Sequence, residues 1–235
     1  LTGRLFSRHF PRRNALIVAD ENTYDAAGED VDRFLTDAGV NVCEPRIFPG
    51  TPVLEADYAE VGPVLERLKA EDAVPVAVGS GTINDIVKTA AHEMGEKYLV
   101  VATAASVDGY TSPGASLVVD GFKQSLYCSA PLVVVGDSRV LAGAPPEMTA
   151  AGYADLMSKI TGGADWIIAD ELGIAPIDHV CWSMIQEDLL DWLASPESLA
   201  AGDPESLDLL MYGLTLTGIS MQRMRRSRPA ARSAR

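Results

Sequence analysis

Over the first 140 positions, apolar residues come in short unbroken runs, separated by segments whose apolar positions recur at helical spacing. Ala15-Leu16-Ile17-Val18-Ala19-Asp20 is such a run and ends in an acid, which predicts a parallel strand buried on both faces. Residues 41–48, 74–78, 98–102 and 132–135 repeat the pattern, and Pro49-Gly50 and Gly136-Asp137 close two of them. Between the runs, residues 25–38, 58–70 and 82–94 read as helices. Val61, Val64, Leu65 and Leu68 share one face of the second, and Gly39 stands at a C-cap position after the first. Asp120-Gly121, between residues 116–119 and 122–126, is a hairpin signal. Strands alternating with helices predict βαβ units and a parallel sheet.

After about Pro145 the pattern is helical throughout, over residues 147–161, 164–169, 179–194 and 204–224. The change near residues 139–146 predicts two domains. Residues 1–140 form an α/β Rossmann-like domain with a parallel sheet, and residues 141–235 an all-helical domain.

Composition narrows the class. The chain has 235 residues, 47% apolar and 22% charged, enough to bury a sizeable core. No apolar stretch is long enough for a membrane span. The start, Leu1-Thr2-Gly3-Arg4-Leu5-Phe6, has neither Met nor a signal-peptide core, so it reads as a fragment start or a trimmed chain, and the expected location is the cytoplasm. Cys43, Cys128 and Cys181 are odd in number and widely spaced, which predicts three buried reduced thiols rather than disulfides or a thiolate zinc site. His9, His92 and His179 are isolated and read as surface or cap residues.

The net charge of −14 conceals an uneven distribution. Residues 223–235 hold six arginines and no acid, leaving 13 basic against 33 acidic residues elsewhere, a formal charge of about −20. Such a body repels phosphates, so nucleic acid is not an expected partner.

The candidate chemistry lies at strand ends. Val76-Ala77-Val78 runs into Gly79-Ser80-Gly81-Thr82-Ile83-Asn84-Asp85, a strand, a glycine turn and a helix start. That order offers open amides and the positive end of a helix to a phosphate. The spacing departs from the dinucleotide fingerprint, with Asn84 where the third glycine would fall, and a turn that binds nothing is the alternative. Asp20 is a candidate for an adenosine ribose hydroxyl, or simply a helix N-cap. Asp108 follows the next apolar run, in a loop with Gly109, Ser112 and Pro113. Asp155 and Lys159 are four apart on one helix face, readable as a solvated ion pair. Their apolar neighbours, with Gly152, Gly162 and Gly163 thinning the helix, point instead to close packing.

Three segments occur in order: Gly79-Ser80-Gly81-Thr82-Ile83-Asn84-Asp85, Thr103-Ala104-Ala105-Ser106-Val107-Asp108-Gly109-Tyr110-Thr111-Ser112, and Gly152-Tyr153-Ala154-Asp155. Together they resemble the sn-glycerol-1-phosphate dehydrogenase branch of the iron-containing alcohol dehydrogenase and dehydroquinate synthase superfamily. The resemblance runs from Ala15 to about Pro229. It implies NAD or NADP as cofactor, with Gly79, Ser80, Gly81 and Asp85 around the pyrophosphate. Thr103, Ala104, Ser106 and Ser112 would line the nicotinamide half. It places Asp108 at the substrate and Asp155 on a divalent metal (zinc, with nickel or iron as alternatives) and on the substrate. Lys159 is a candidate contact to the substrate phosphate. The implied reaction is reduction of dihydroxyacetone phosphate to sn-glycerol 1-phosphate, the implied partner a phosphorylated triose or polyol, and the implied assembly a homo-oligomer.

One departure stands out. In the family, a segment resembling Ser227-Arg228-Pro229-Ala230 leads into a Gly-x-Glu-His run supplying a metal histidine, and a second histidine follows later. Here the sequence continues Ala231-Arg232-Ser233-Ala234-Arg235 and stops, so the helical domain reads as incomplete. One carboxylate does not hold catalytic zinc, and little dehydrogenase activity is expected if this is the whole chain. A related glycerol dehydrogenase or dehydroquinate synthase-like enzyme, and an NAD-binding remnant without catalysis, are the other readings. Asp20 favours NAD over NADP, because a carboxylate repels a 2′-phosphate.

Overall fold

The structure is a computed structural model and describes residues 1–224. Its chain divides into two compact units. One comprises Leu1–Thr103 with Gly114–Val140, and the other Ala104–Pro113 with the chain from Leu141 onward.

The first unit opens with α1 (Thr2–His9), β1 (Asn14–Asp20) and α2 (Glu21–Thr23). A π-helical turn (Tyr24–Gly28) then passes into α3 (Glu29–Asp37), so this helical stretch begins four residues before the predicted one. Gly28 admits the Tyr24 ring, because a Cβ there would stand 2.3 Å from Tyr24 Cδ2. Next come β2 (Arg46–Phe48), a 3-10 turn (Tyr58–Glu60), α4 (Val61–Glu71), β3 (Ala73–Gly79), α5 (Gly81–Met94) and β4 (Leu99–Ala102). After the excursion into the second unit, the chain returns as β5 (Gly114–Val119), β6 (Phe122–Tyr127) and β7 (Val133–Gly136), and α6 (Ser138–Leu141) follows.

Five strands form one parallel sheet in the order β2-β1-β3-β4-β7. Continuous apolar runs suit its centre: Ala15 to Ala19 and all of β3 are buried. The predicted strand over residues 41–48 is shorter than expected. Residues 41–43 still exchange backbone bonds with Ala15, but Pro45 has no N–H for the ladder, and regular pairing resumes only at Arg46. The β5–β6 hairpin turns at Asp120 and Gly121 with φ of 52° and 79°, the left-handed pair that a two-residue turn requires.

In the second unit a 3-10 turn (Asp108–Tyr110) lies in the loop of residues 104–113. The helices are α7 (Pro146–Glu171), α8 (His179–Gln186), α9 (Leu189–Trp192), α10 (Pro196–Ala200) and α11 (Pro204–Met224). The two helices expected over 147–161 and 164–169 are one. Gly162 and Gly163 leave it intact because both are buried, and the missing side chain of Gly163 admits Gln186 of α8, whose amide donates to Lys159 C=O at 2.9 Å. The helix predicted over 179–194 breaks at Glu187 and Asp188. The break brings Leu189 and Trp192 into the core, with Trp192 lying against Gly213.

Cys128 and Cys181 are buried free thiols, but Cys43 is only half-buried; burial and the neighbouring Glu71 push its pKa up to about 11. His9 and His179 are exposed, while His92 is half-buried with Nδ1 3.4 Å from Ser129 Oγ. Among the described residues, no helix is long and apolar enough to cross a membrane. Of the six arginines in residues 223–235, all but Arg223 lie outside the described residues, as do Ser227-Arg228-Pro229-Ala230.

Candidate active site

In the first unit, β1 leads to β2 on one side and β3 lies on the other, so the sheet order reverses between β1 and β3. Ligands of doubly wound sheets bind at the carboxyl ends of the strands flanking such a reversal. Here those ends are Asp20 and Gly79, and Val18 pairs with Ala77 two residues before them. Thr103, just beyond β4, donates its N–H to Gly79 C=O at 3.2 Å.

Ser80 is the N-cap of the 14-residue α5, and its side chain makes no cap bond. The first helical bond runs from Asn84 N–H to Ser80 C=O at 3.0 Å, so the amides of Gly81, Thr82 and Ile83 precede the helical ladder. This is a helix end suited to an anion, and its residues fit a pyrophosphate. Gly79 has a different reason to be glycine. A Cβ there would lie 2.6 Å from Ile83 Cβ, so its absence seats the helix against the strand.

Asp20 takes the cap role. Its carboxylate accepts Thr23 N–H at 2.8 Å, and its own N–H donates to Thr23 Oγ1 at 3.0 Å. Asp85 has a partner that the spacing did not reveal: Ser116 N–H donates to it at 2.9 Å and ties α5 to β5. Burial raises its pKa to about 6, against the lowering effect of Lys88 and the Ser116 bond. Lys88, fully buried, donates to Gly114 C=O at 2.9 Å.

The second unit brings Asp108, Asp155 and Lys159 together. Lys159 Nζ stands 2.8 Å from Asp155 Oδ1 and 2.9 Å from Asp108 Oδ2, and the lysine side chain is 3% exposed. Asp155 Oδ2 accepts the Asp108 N–H at 2.9 Å. The pair of residues 155 and 159 is therefore not a solvated surface pair: the lysine is buried and the Asp155 side chain is only 22% exposed. Close packing of the 104–113 loop on α7 and α11 explains why. A Cβ on Gly152 would lie 2.0 Å from Ala105 O, and one on Gly218 2.2 Å from Thr111 Oγ1 and 2.6 Å from Asp108 O. Three bonds fasten the same loop: Tyr110 OH to Ala104 C=O at 2.8 Å, Thr111 Oγ1 to Thr215 C=O at 2.8 Å, and Gln222 Nε2 to Thr111 C=O at 2.7 Å. Ala104, Ser106 and Ser112 are buried within it, and Ser112 Oγ donates to Gly109 C=O at 3.2 Å. Gly152 was visible in the sequence as a thinned helix position. Gly218 and Gln222 were not, because nothing local marks a helix residue that serves a loop about a hundred positions earlier.

A divalent metal does not fit the described residues. Among them no three His, Cys, Asp or Glu side chains converge, and each oxygen of the Asp155 carboxylate already accepts one bond, Oδ1 from the Lys159 ammonium and Oδ2 from the Asp108 amide.

Residues 2–145 match the model of a protein family described as iron-containing alcohol dehydrogenase. The chain is 35% identical over 219 residues to a glycerol-1-phosphate dehydrogenase (NAD(P)+) of Bacillus velezensis, covering 92% of this chain and 55% of that one. A protein of the same name from Methanosarcina mazei is 32% identical over 221 residues, covering 94% and 60%. The chain thus spans a little over half the length of these curated relatives. A sulfoacetaldehyde reductase from Bifidobacterium kashiwanohense, solved in complex with NAD+, has the same fold at a TM-score of 0.69 and 18% identity, over 92% of this chain and 61% of that one.

Proposed function

This chain belongs to the iron-containing alcohol dehydrogenase family, and on that premise we propose that it binds NAD(H) or NADP(H) at the Gly79-Ser80-Gly81 bend. The reading extends to an oxidoreductase of phosphorylated trioses and polyols, with dihydroxyacetone phosphate and sn-glycerol 1-phosphate as the substrate pair. One observation carries it: the bend with its open amides ends β3, next to Asp20 at the end of β1, where the sheet order reverses. The names of the relatives supply the substrate class.

In this reading the amides of Gly81, Thr82 and Ile83 hold the pyrophosphate, and the Asp20 oxygen left by its cap bond takes a ribose hydroxyl. Thr103, Ala104, Ser106 and Ser112 border the nicotinamide, and Asp108 and Asp155 face the substrate. The cofactor supplies the hydride, and the protein orients it. Divalent metal is typical of the family, but the described residues do not fit one.

The hold of Lys159 and the Asp108 amide on the Asp155 carboxylate suggests a second reading, in which the chain binds the dinucleotide without turning it over. Two assays separate the readings. NADH fluorescence titration tests binding, and NADH oxidation with dihydroxyacetone phosphate, with and without added zinc, tests turnover. Binding with turnover supports the dehydrogenase, binding alone supports the second reading, and no binding refutes both.

A further inference from the structure

We infer that the Lys159 ammonium is the counter-cation of the Asp108–Asp155 pair and keeps that pair closed to a divalent metal. The inference rests on the reading of Asp155 as the position that ligates metal in this family. The geometry is of one cation shared between two carboxylates, at 2.8 and 2.9 Å, with the side chain withdrawn from solvent. A carboxylate oxygen binds zinc at about 2.0–2.2 Å. An ion on Asp155 Oδ1 would therefore stand within a few ångströms of the ammonium already bonded to that oxygen. The remaining oxygen of Asp155 is held by the Asp108 amide.

Charge gives the same answer. Two carboxylates and one ammonium sum to −1, and a divalent ion would turn this largely buried cluster to +1. With the lysine charge removed, the same ion takes the cluster from −2 to neutral. Partial burial enlarges that difference: the lysine is 3% exposed and the Asp108 and Asp155 side chains 11% and 22%, so water screens the cluster only in part. The lysine is also built in rather than incidental. It lies one helical turn from Asp155, its Nζ is 3.3 Å from Ser158 Oγ, and Gln186 fixes its carbonyl through the notch at Gly163. Metal loading at Asp155 thus requires Lys159 to leave, and with it the ion pair that joins the Asp108 loop to α7.

The test titrates the full chain with zinc or cobalt, using calorimetry and, for cobalt, visible absorption. Lys159→Gln keeps most of the stem and loses the charge. We expect it to bind one divalent ion at least about tenfold more tightly than the wild type. Lys159→Arg keeps the charge and should show no gain, and Asp155→Asn added to Lys159→Gln should abolish it. If Lys159→Gln is poorly folded, thermal melts replace the titration: zinc should raise the melting temperature of that variant and not of the wild type. Equal affinities in wild type and Lys159→Gln, weak or tight, overturn the inference, as does a gain that survives Asp155→Asn. NADH binding is a separate readout, so failure of the cofactor reading leaves this result distinguishable.

Discussion

Two acids show how a residue's neighbours decide its chemistry. Asp20 ends β1 and caps α2, whereas Asp85, in the second turn of α5, is sequestered under β5. Asp85 makes the pH dependence specific. Its folded pKa, about 6, lies above the ordinary value of 3.8, so the protonated form is the one that folding favours. Its contribution to stability is fully present below about pH 4 and is lost as pH rises through about 6. Asp85→Asn keeps an acceptor for Ser116 N–H and removes this dependence. Urea midpoints between pH 4 and 7 should show the wild type losing on the order of 2–3 kcal/mol relative to the variant. Parallel curves would contradict it. Asp20→Asn also preserves the cap while removing the charge, and it should improve NADPH binding relative to NADH; an unchanged ratio would remove Asp20 from the cofactor site.

Elements divide by whether their cause is local. The buried runs of β1 and β3 and the Asp120-Gly121 turn were legible because a strand buried on both faces is continuously apolar and a two-residue turn needs left-handed residues. Where the cause is distant, the sequence reading failed: Gly162 and Gly163 resemble a helix end but lie inside α7, held there by packing with Gln186. Asp108 and Asp155 were legible as candidate site residues through resemblance alone, and the burial of Lys159 between them required the fold. Glycine substitutions test the packing account. Gly218→Ala, with Asp108 O in the way, should destabilise the chain by about 1–3 kcal/mol. Gly62→Ala in α4 meets nothing within 4 Å beyond its chain neighbours, but its Cβ precedes the Pro63 ring, so the helix-propensity gain is offset and stability should change by less than about 0.5 kcal/mol. Denaturant midpoints of the two variants read the difference, and equal shifts would refute the close approach at Gly218.

For the whole molecule, one parallel sheet orders the candidate cofactor site, and one cluster in the helical unit orders the candidate substrate site. The first rests on fold physics that the sequence pattern already carried. The second rests on contacts from residues far apart in sequence. The most direct measurement is NADH titration of the wild type against Gly81→Asp. Gly81 has no positive φ, and an acid in the first turn of α5 suits the helix dipole, so the variant should melt within a few degrees of wild type. Its carboxylate would stand where the proposed pyrophosphate site is, and NADH affinity should fall by about tenfold or more. Equal affinity in the two proteins, or no NADH binding by the wild type, would contradict a dinucleotide seated on the Gly79-Ser80-Gly81 bend.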